Sequence, residues 1–380
     1  MAGSRGSVGT AGRGPGGSAA HRGARYPPLQ RGQLGFHWSY PGAAGRLFIP
    51  LAEFRAGQTQ PDRRQGRQAL SLSLWLLTGI GAASGWHFLA GASPAEAHGG
   101  LGPGQSVWTA WNSDPLPALG VFLAAYLYFT GLSRWNNPSH PVNNWQRVSF
   151  VLGLLAIFVA LQSPVDALSD HLFSVHQAQH ALLRMVGPLL VLLGAPMTPM
   201  LRGLPPGMLR SVVRLVVGSP KVRRGYQWLT NPVVTTTLYL GALYLFQVPG
   251  PHNLALRNDA FHQVMHLVMF STGMLFWWVV IDPKPHRSRL HYGLRILYLG
   301  LGVIPNTLLG AAITFNTNQL YAGYAEVERI TSISLLLDQQ LGGLVLWVAG
   351  DMMNMIAAGI VMIMWYQREM EKERKEAASA

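Results

Sequence analysis

The chain alternates between long apolar runs that hold few charges and shorter polar links. Seven apolar runs lie near 115–133, 148–163, 180–198, 233–249, 264–281, 294–315 and 341–366. Each approaches or exceeds the roughly 17–25 residues that a membrane-crossing helix needs, the second and fourth being short. The predicted fold is all-α, a polytopic membrane protein with seven transmembrane helices. Gly187, Pro188 and Pro196 predict a kink in the third run, and Pro305 a second one in the sixth.

Ahead of these runs, residues 1–62 are rich in Gly, Arg and Pro and show no apolar period, so they read as a disordered basic extension or a mis-assigned start. Residues 63–97 begin with arginines, continue as an apolar run and end near the small-residue stretch "AEA". That order predicts a secretory signal peptide, with an extra transmembrane helix as the alternative. Residues 98–366 form the seven-helix domain, and 367–380 a charged tail.

The polar links assign an orientation. Arg134 and Arg147, then Arg202 to Arg224, then Lys284 to Arg295, and finally the tail fall on one side, whereas the opposite links offer Arg257 and Arg329. The positive-inside rule puts the first set in the cytoplasm, with the mature N-terminus outside and the C-terminus inside. The expected location is the bacterial plasma membrane. "GMLRSVVRLVV" (207–217) reads as an amphipathic helix on the cytoplasmic surface.

Composition supports this picture. The 380 residues are 49% hydrophobic and only 12% charged, about half the charged fraction of a soluble protein. The net charge of +13 is spread over the polar links and the N-terminal extension without a basic recognition helix. Topology accounts for it better than a nucleic-acid partner does. There is no cysteine, which excludes disulfides and thiolate metal sites; a metal would need His, Met, Asp or Glu.

Candidate chemistry sits where the third and fifth runs begin. "SVHQAQHALL" places His176 and His180 four apart, and "AFHQVMHLVMF" repeats this with His262 and His266. Residues four apart share a helix face. One histidine at a membrane edge is more often an interfacial polar residue than a ligand. Two such pairs, on helices of equal direction and depth, predict a metal or haem site. Asp338 at the start of run seven and Asp166 at the end of run two lie at the same level, as further ligands or their supports. Met185, Met265 and Met269 are candidate thioether donors to copper. His98 would become a chelating terminus if cleavage followed Ala97, although a flexible polar start explains it more simply. Arg184 and Asp351, both inside the apolar runs, are expected to pair with each other, or Arg184 with Asp166 or Asp338. The stripe "MFSTGMLFWW" (269–278) reads as packing or lipid-facing surface.

The stretches "SPVDALSDHLFSVHQAQHALLRMVGPLLVLLGAP" (163–196), "FHQVMHLVMFSTGMLFWWVV" (261–280) and "DQQLGGLVLWVAG" (338–350) resemble the CtaG-type cytochrome c oxidase assembly factors, over roughly residues 98–366. The resemblance implies a non-enzymatic seven-helix protein that helps place copper in subunit I of a haem–copper oxidase. It carries over His176, His180, His262, His266 and Asp338, and implies a copper donor protein as a further partner. A haem-b electron carrier, with His180 and His266 as axial ligands, and a copper permease are the alternatives. A zinc peptidase is disfavoured because Gln177 and Gln263 stand where HExxH needs its glutamate.

Overall fold

The computed structural model describes residues 106–112, 114–136, 141–211, 219–283 and 290–379. The extension, the expected signal segment, His98 and part of the expected amphipathic helix at 207–217 lie outside them. Among the described residues there is no strand.

The helices begin where sequence chemistry permits. In α1 (Pro115–Ser133) the Asp114 side chain accepts from Leu116 N, and Pro115 occupies the first turn, where no backbone donor is needed. In α2 (Asn144–Gln162) Asn143 and Gln146 form a reciprocal capping box. Ser163, with Pro164 behind it, starts the short α3 (Pro164–Ser169). α4 (Phe173–Ala181) runs through a π-helical turn (Leu182–Val186) into α5 (Gly187–Leu193), and α6 (Met197–Gly203) follows. α7 (Pro220–Leu229) precedes α8 (Pro232–Gln247), capped by Asn231, and α9 (Pro249–Arg257). α10 (Asp259–Ile281), α11 (Tyr292–Thr314), the single-turn α12 (Gly323–Glu326) and α13 (Leu335–Ser379) complete the order.

Five of these helices (α1, α2, α10, α11 and α13) are long and apolar enough to cross a membrane. Two bent pairs raise the number to as many as seven: 173–193 with α6, bent by 79°, and α8 with α9, bent by 72°. The first bend falls at Ala195, whose φ of 50° is left-handed, directly before Pro196. The described residues are therefore all-helical, and their several long apolar helices make this a multi-pass membrane protein. Leu119, Leu123, Leu245, Leu267, Leu301 and Leu308 are exposed, whereas His, Gln, Asn and Arg side chains are buried between the helices. That inside-out distribution suits lipid surroundings. α10 is the most enclosed of the five, with 56% of its apolar window buried against 22% for α1. The stripe at 269–278 resolves as packing in part, since Met269, Phe276 and Trp277 are fully buried.

The predicted kink in the third run takes the form of the π-turn. Pro188 has no N–H, so it cannot bond the carbonyl of Arg184 one turn earlier. Gly187 N–H instead reaches back to Leu182 O, widening the helix by one residue. The Arg184 carbonyl is taken by the indole Nε1 of Trp277 on α10, at 3.1 Å. Gly273, one turn before Trp277, makes this approach feasible: a Cβ there would lie 2.4 Å from the same oxygen.

Candidate metal centre

The first turns of α4 and α10 lie at the same end of the bundle, where α9 and α12 also converge. His176 and His180 project from α4, His262 and His266 from α10, and all four are buried. Ring centroids are 4.3 Å apart for His176–His180, 4.3 Å for His262–His266, 5.1 Å for His176–His262 and 5.5 Å for His180–His266. His176, His180 and His266 each offer a nitrogen to a group in which every donor lies within 4.8 Å of the others. Nε2 of His176 and Nε2 of His180 share a hydrogen bond of 2.9 Å. The structure thus brings the four predicted histidines into one cluster.

It adds a fifth. His252 on α9 is fully buried, with its ring 4.8 Å from that of His176. Its Nδ1 faces the Phe246 carbonyl at 3.0 Å and its Nε2 the Tyr324 hydroxyl at 3.2 Å. The same hydroxyl stands 2.8 Å from His176 Nδ1. His252 stands in "VPGPHNL", in the polar link after the fourth apolar run, where no i,i+4 partner marks it. The available signal was Pro249, which suits a first helical turn.

The two carboxylates act as supports and stand outside the three-histidine group. Asp338, at the start of α13, accepts from Phe173 N at 2.7 Å, Ser174 N at 3.2 Å and Ser174 Oγ at 2.5 Å. It thereby caps the helix that carries His176 and His180, where a negative charge also complements the helix dipole. Asp166 accepts from Gln179 Nε2 at 2.6 Å and Asn112 Nδ2 at 2.7 Å, tying α4 to the segment ahead of α1.

A small cavity with room for about one water-sized group adjoins the cluster. His180, Arg184, Met185, Gln177, Gln247 and Met269 are among its lining residues. Met265 is buried instead in an apolar cluster with Phe246, Ala255 and Met269. Nδ1 of His180 and Nη1 of Arg184 are buried without hydrogen-bond partners among the described residues.

Among the described residues, the expected ion pair of Arg184 with a carboxylate is not formed. Its Nη2 donates to Asn306 Oδ1 at 3.4 Å, and its guanidinium lies over the Tyr239 ring, 4.4 Å from the centroid. Asn306 Nδ2 in turn approaches Asp351 Oδ1 at 3.3 Å, and Thr307 Oγ1 donates to Asp351 Oδ2 at 2.7 Å. Arg184 and Asp351 are therefore linked through Asn306, while Asp338 is taken by helix-capping donors and Asp166 by side-chain amides.

At the mouth, burial together with the nearby charges of Asp166 and Asp259 raises the Asp170 carboxyl to a pKa of about 7. Burial first, then Asp170, Asp338 and Tyr321, hold the Tyr324 phenol well above the usual tyrosine range, so it remains a hydroxyl. Buried imidazoles and nearby thioethers form a donor set suited to copper, with imidazole alone also suiting zinc.

The chain is 26% identical over 271 residues to an uncharacterized protein of Mycobacterium leprae, an overlap covering 69% of this chain and 40% of that protein. It is 28% identical over 287 residues to uncharacterized proteins of Mycobacterium bovis and Mycobacterium tuberculosis, covering 71% of this chain and 41% of each. The chain thus spans about two-fifths of the length of the curated relatives it matches. No solved structure matches it. The sequence profile of the cytochrome c oxidase caa3 assembly factors (Caa3_CtaG) matches residues 124–368, more than half of the chain and both histidine-bearing helices, and the chain belongs to that family.

Proposed function

We propose that this chain serves oxidase assembly by holding copper, as cargo, on the buried histidine cluster and passing it within the membrane to subunit I of a haem–copper oxidase. The observation that carries the reading is the convergence of His176, His180 and His266, with donor nitrogens within 4.8 Å of one another. Nitrogens bound at about 2.0–2.1 Å to a tetrahedral ion stand roughly 3.3 Å apart. His176 and His180, at 2.9 Å, need only a small separation to accept one. His262 and the thioethers of Met185 and Met269 are the reserve donors, and Asp338 and Asp166 hold the helix that presents the site. No group in the cluster is asked to make or break a covalent bond of a substrate, so the role is non-enzymatic.

The distribution of basic residues supports placing the histidine end at the outer face of a bacterial plasma membrane and the charged tail in the cytoplasm. A copper donor protein on that outer side is the partner this orientation calls for. Haem is the weaker reading, because the cavity beside His180 has room for about one water-sized group and a porphyrin needs a far larger slot.

The test is a Cu(I) titration of the detergent-purified chain against a chromophoric competitor, together with its visible spectrum. The expected result is one tightly held copper per chain, lost in His176→Ala and His266→Ala, with both variants still inserted but unable to support oxidase activity in cells. Normal oxidase activity in both variants, or a strong Soret band lost with the same histidines, would overturn the reading.

A further inference from the structure

We infer that Tyr324 and His252 are positioning residues that fix the tautomer of His176, turning its Nε2 lone pair toward the histidine cluster; the inference rests on the metal-holding role proposed above.

The direction of each hydrogen bond follows from one group that can only accept. The Phe246 carbonyl lies 3.0 Å from His252 Nδ1, so that nitrogen carries the proton. His252 is fully buried, and among the described residues no carboxylate bonds it, which favours the neutral ring. Its Nε2 is then an acceptor, and the Tyr324 hydroxyl at 3.2 Å donates to it. Having spent its one proton there, the phenol oxygen accepts from His176 Nδ1 at 2.8 Å. His176 therefore carries its proton on Nδ1, and its Nε2 presents a lone pair to the cluster. In the metal-free state that lone pair accepts from His180 Nε2 at 2.9 Å. One backbone carbonyl sets the polarity of four consecutive bonds.

The framework that holds this relay is cross-linked by hydrogen bonds and ring contacts. Tyr324 lies on α12, whose Gly323 N donates to Asn253 Oδ1 on α9 at 3.1 Å. The neighbouring Tyr321 hydroxyl donates to the Gln247 carbonyl at 2.9 Å, next to the α8–α9 bend. Phe173 stacks on Tyr321 at 4.2 Å and meets Tyr324 edge-on at 5.8 Å. His252 spends its Nδ1 on a backbone carbonyl and its Nε2 on the Tyr324 hydroxyl, so it turns no lone pair to the cluster and acts through His176. Such outer partners raise the basicity of a ligating imidazole and fix its orientation, and their loss typically weakens metal binding 10–100-fold.

The two residues make opposite predictions for one spectrum. In metal-free protein with ¹⁵N-labelled histidine, the His176 signal, assigned by its absence in His176→Gln, should report an Nδ1-protonated ring. Tyr324→Phe keeps the ring packing and removes both bonds, so His176 loses that fixed state. His252→Phe frees the Tyr324 hydroxyl to donate to His176 Nδ1, which inverts His176 to the Nε2-protonated form. Both variants should bind Cu(I) roughly 10–100-fold more weakly. An unchanged His176 tautomer in both, or copper affinity within about twofold of the parent in both, would overturn the inference. If the parent chain bound no copper, the metal role would fail, while the metal-free spectra would still decide the relay.

Discussion

The contact between α10 and the π-turn can be tested at Gly273. A methyl group there would lie 2.4 Å from the Arg184 carbonyl oxygen and 3.1 Å from the Arg184 Cα and carbonyl carbon, all backbone atoms. Ordinary contact begins near 3.4 Å, so Gly273→Ala must push the helices apart by about 1 Å. Overpacking of this kind typically costs about 1–3 kcal/mol. The same shift would stretch the 3.1 Å bond from Trp277 Nε1 beyond hydrogen-bonding range. A carbonyl already deprived of its helical partner by Pro188 would then be buried unpaired, adding about 1–3 kcal/mol. The expected loss is about 2–6 kcal/mol, read as a fall of roughly 5 °C or more in the melting temperature of the detergent-purified protein. Gly241→Ala is the control: it is helical with nothing within 4 Å of the added methyl, and should gain roughly 0.5–1 kcal/mol. Because His266 rides on α10 and His180 on α4, the displaced variant should also bind copper more weakly. If Gly273→Ala and Gly241→Ala melted at the same temperature, the account of the π-turn would be wrong.

Three further predictions concern charged groups. Asp338→Ala leaves Phe173 N and Ser174 N without their cap; it should lower stability by about 1–3 kcal/mol, seen in the melting temperature, with Asp338→Asn recovering part of the loss. Asp170, with its folded pKa raised to about 7 from 3.8, binds more protons folded than unfolded between those values, so its contribution to stability is fully present below about pH 4 and is lost as pH rises toward 7. Asp170→Asn should flatten that part of the stability profile, and parallel profiles for the two proteins would refute the assignment. Arg184→Met removes a buried charge that has no ion-pair partner among the described residues, and should leave the melting temperature unchanged or higher; a fall of several degrees would show that stacking on Tyr239 and the bond to Asn306 outweigh the burial of the charge.

The helices were legible in hydropathy because every spanning segment must satisfy its own backbone. Their starts were not. α4, α10 and α13 begin at Phe173, Asp259 and Leu335, several residues before the apolar runs, since their first turns carry the polar side chains that face the cluster. α13 likewise continues to Ser379 through charged residues that are good helix formers. The four histidines were visible through their i,i+4 spacing, a local signal. His252, Tyr324 and Asn306 were not, because their roles depend on partners far away in sequence, 148 residues for the bond between Tyr324 and His176. The same limit explains the carboxylates. Type and depth of Asp166 and Asp338 were readable, but their use on backbone and amide donors follows from packing alone.

Arg184 has a consequence for traffic through the bundle. Guanidinium and His180 are about one helical turn apart, and two unit charges roughly 6 Å apart repel by about 3 kcal/mol at an effective dielectric near 20. A cation resting on the histidines would thus meet a fixed positive barrier immediately beneath it, with no carboxylate among the described residues within ion-pair distance to cancel it. Deeper passage would be uphill, and return to the mouth downhill. If the histidines hold a cation as proposed, the bundle would serve it as a cul-de-sac, entered and left by the same door.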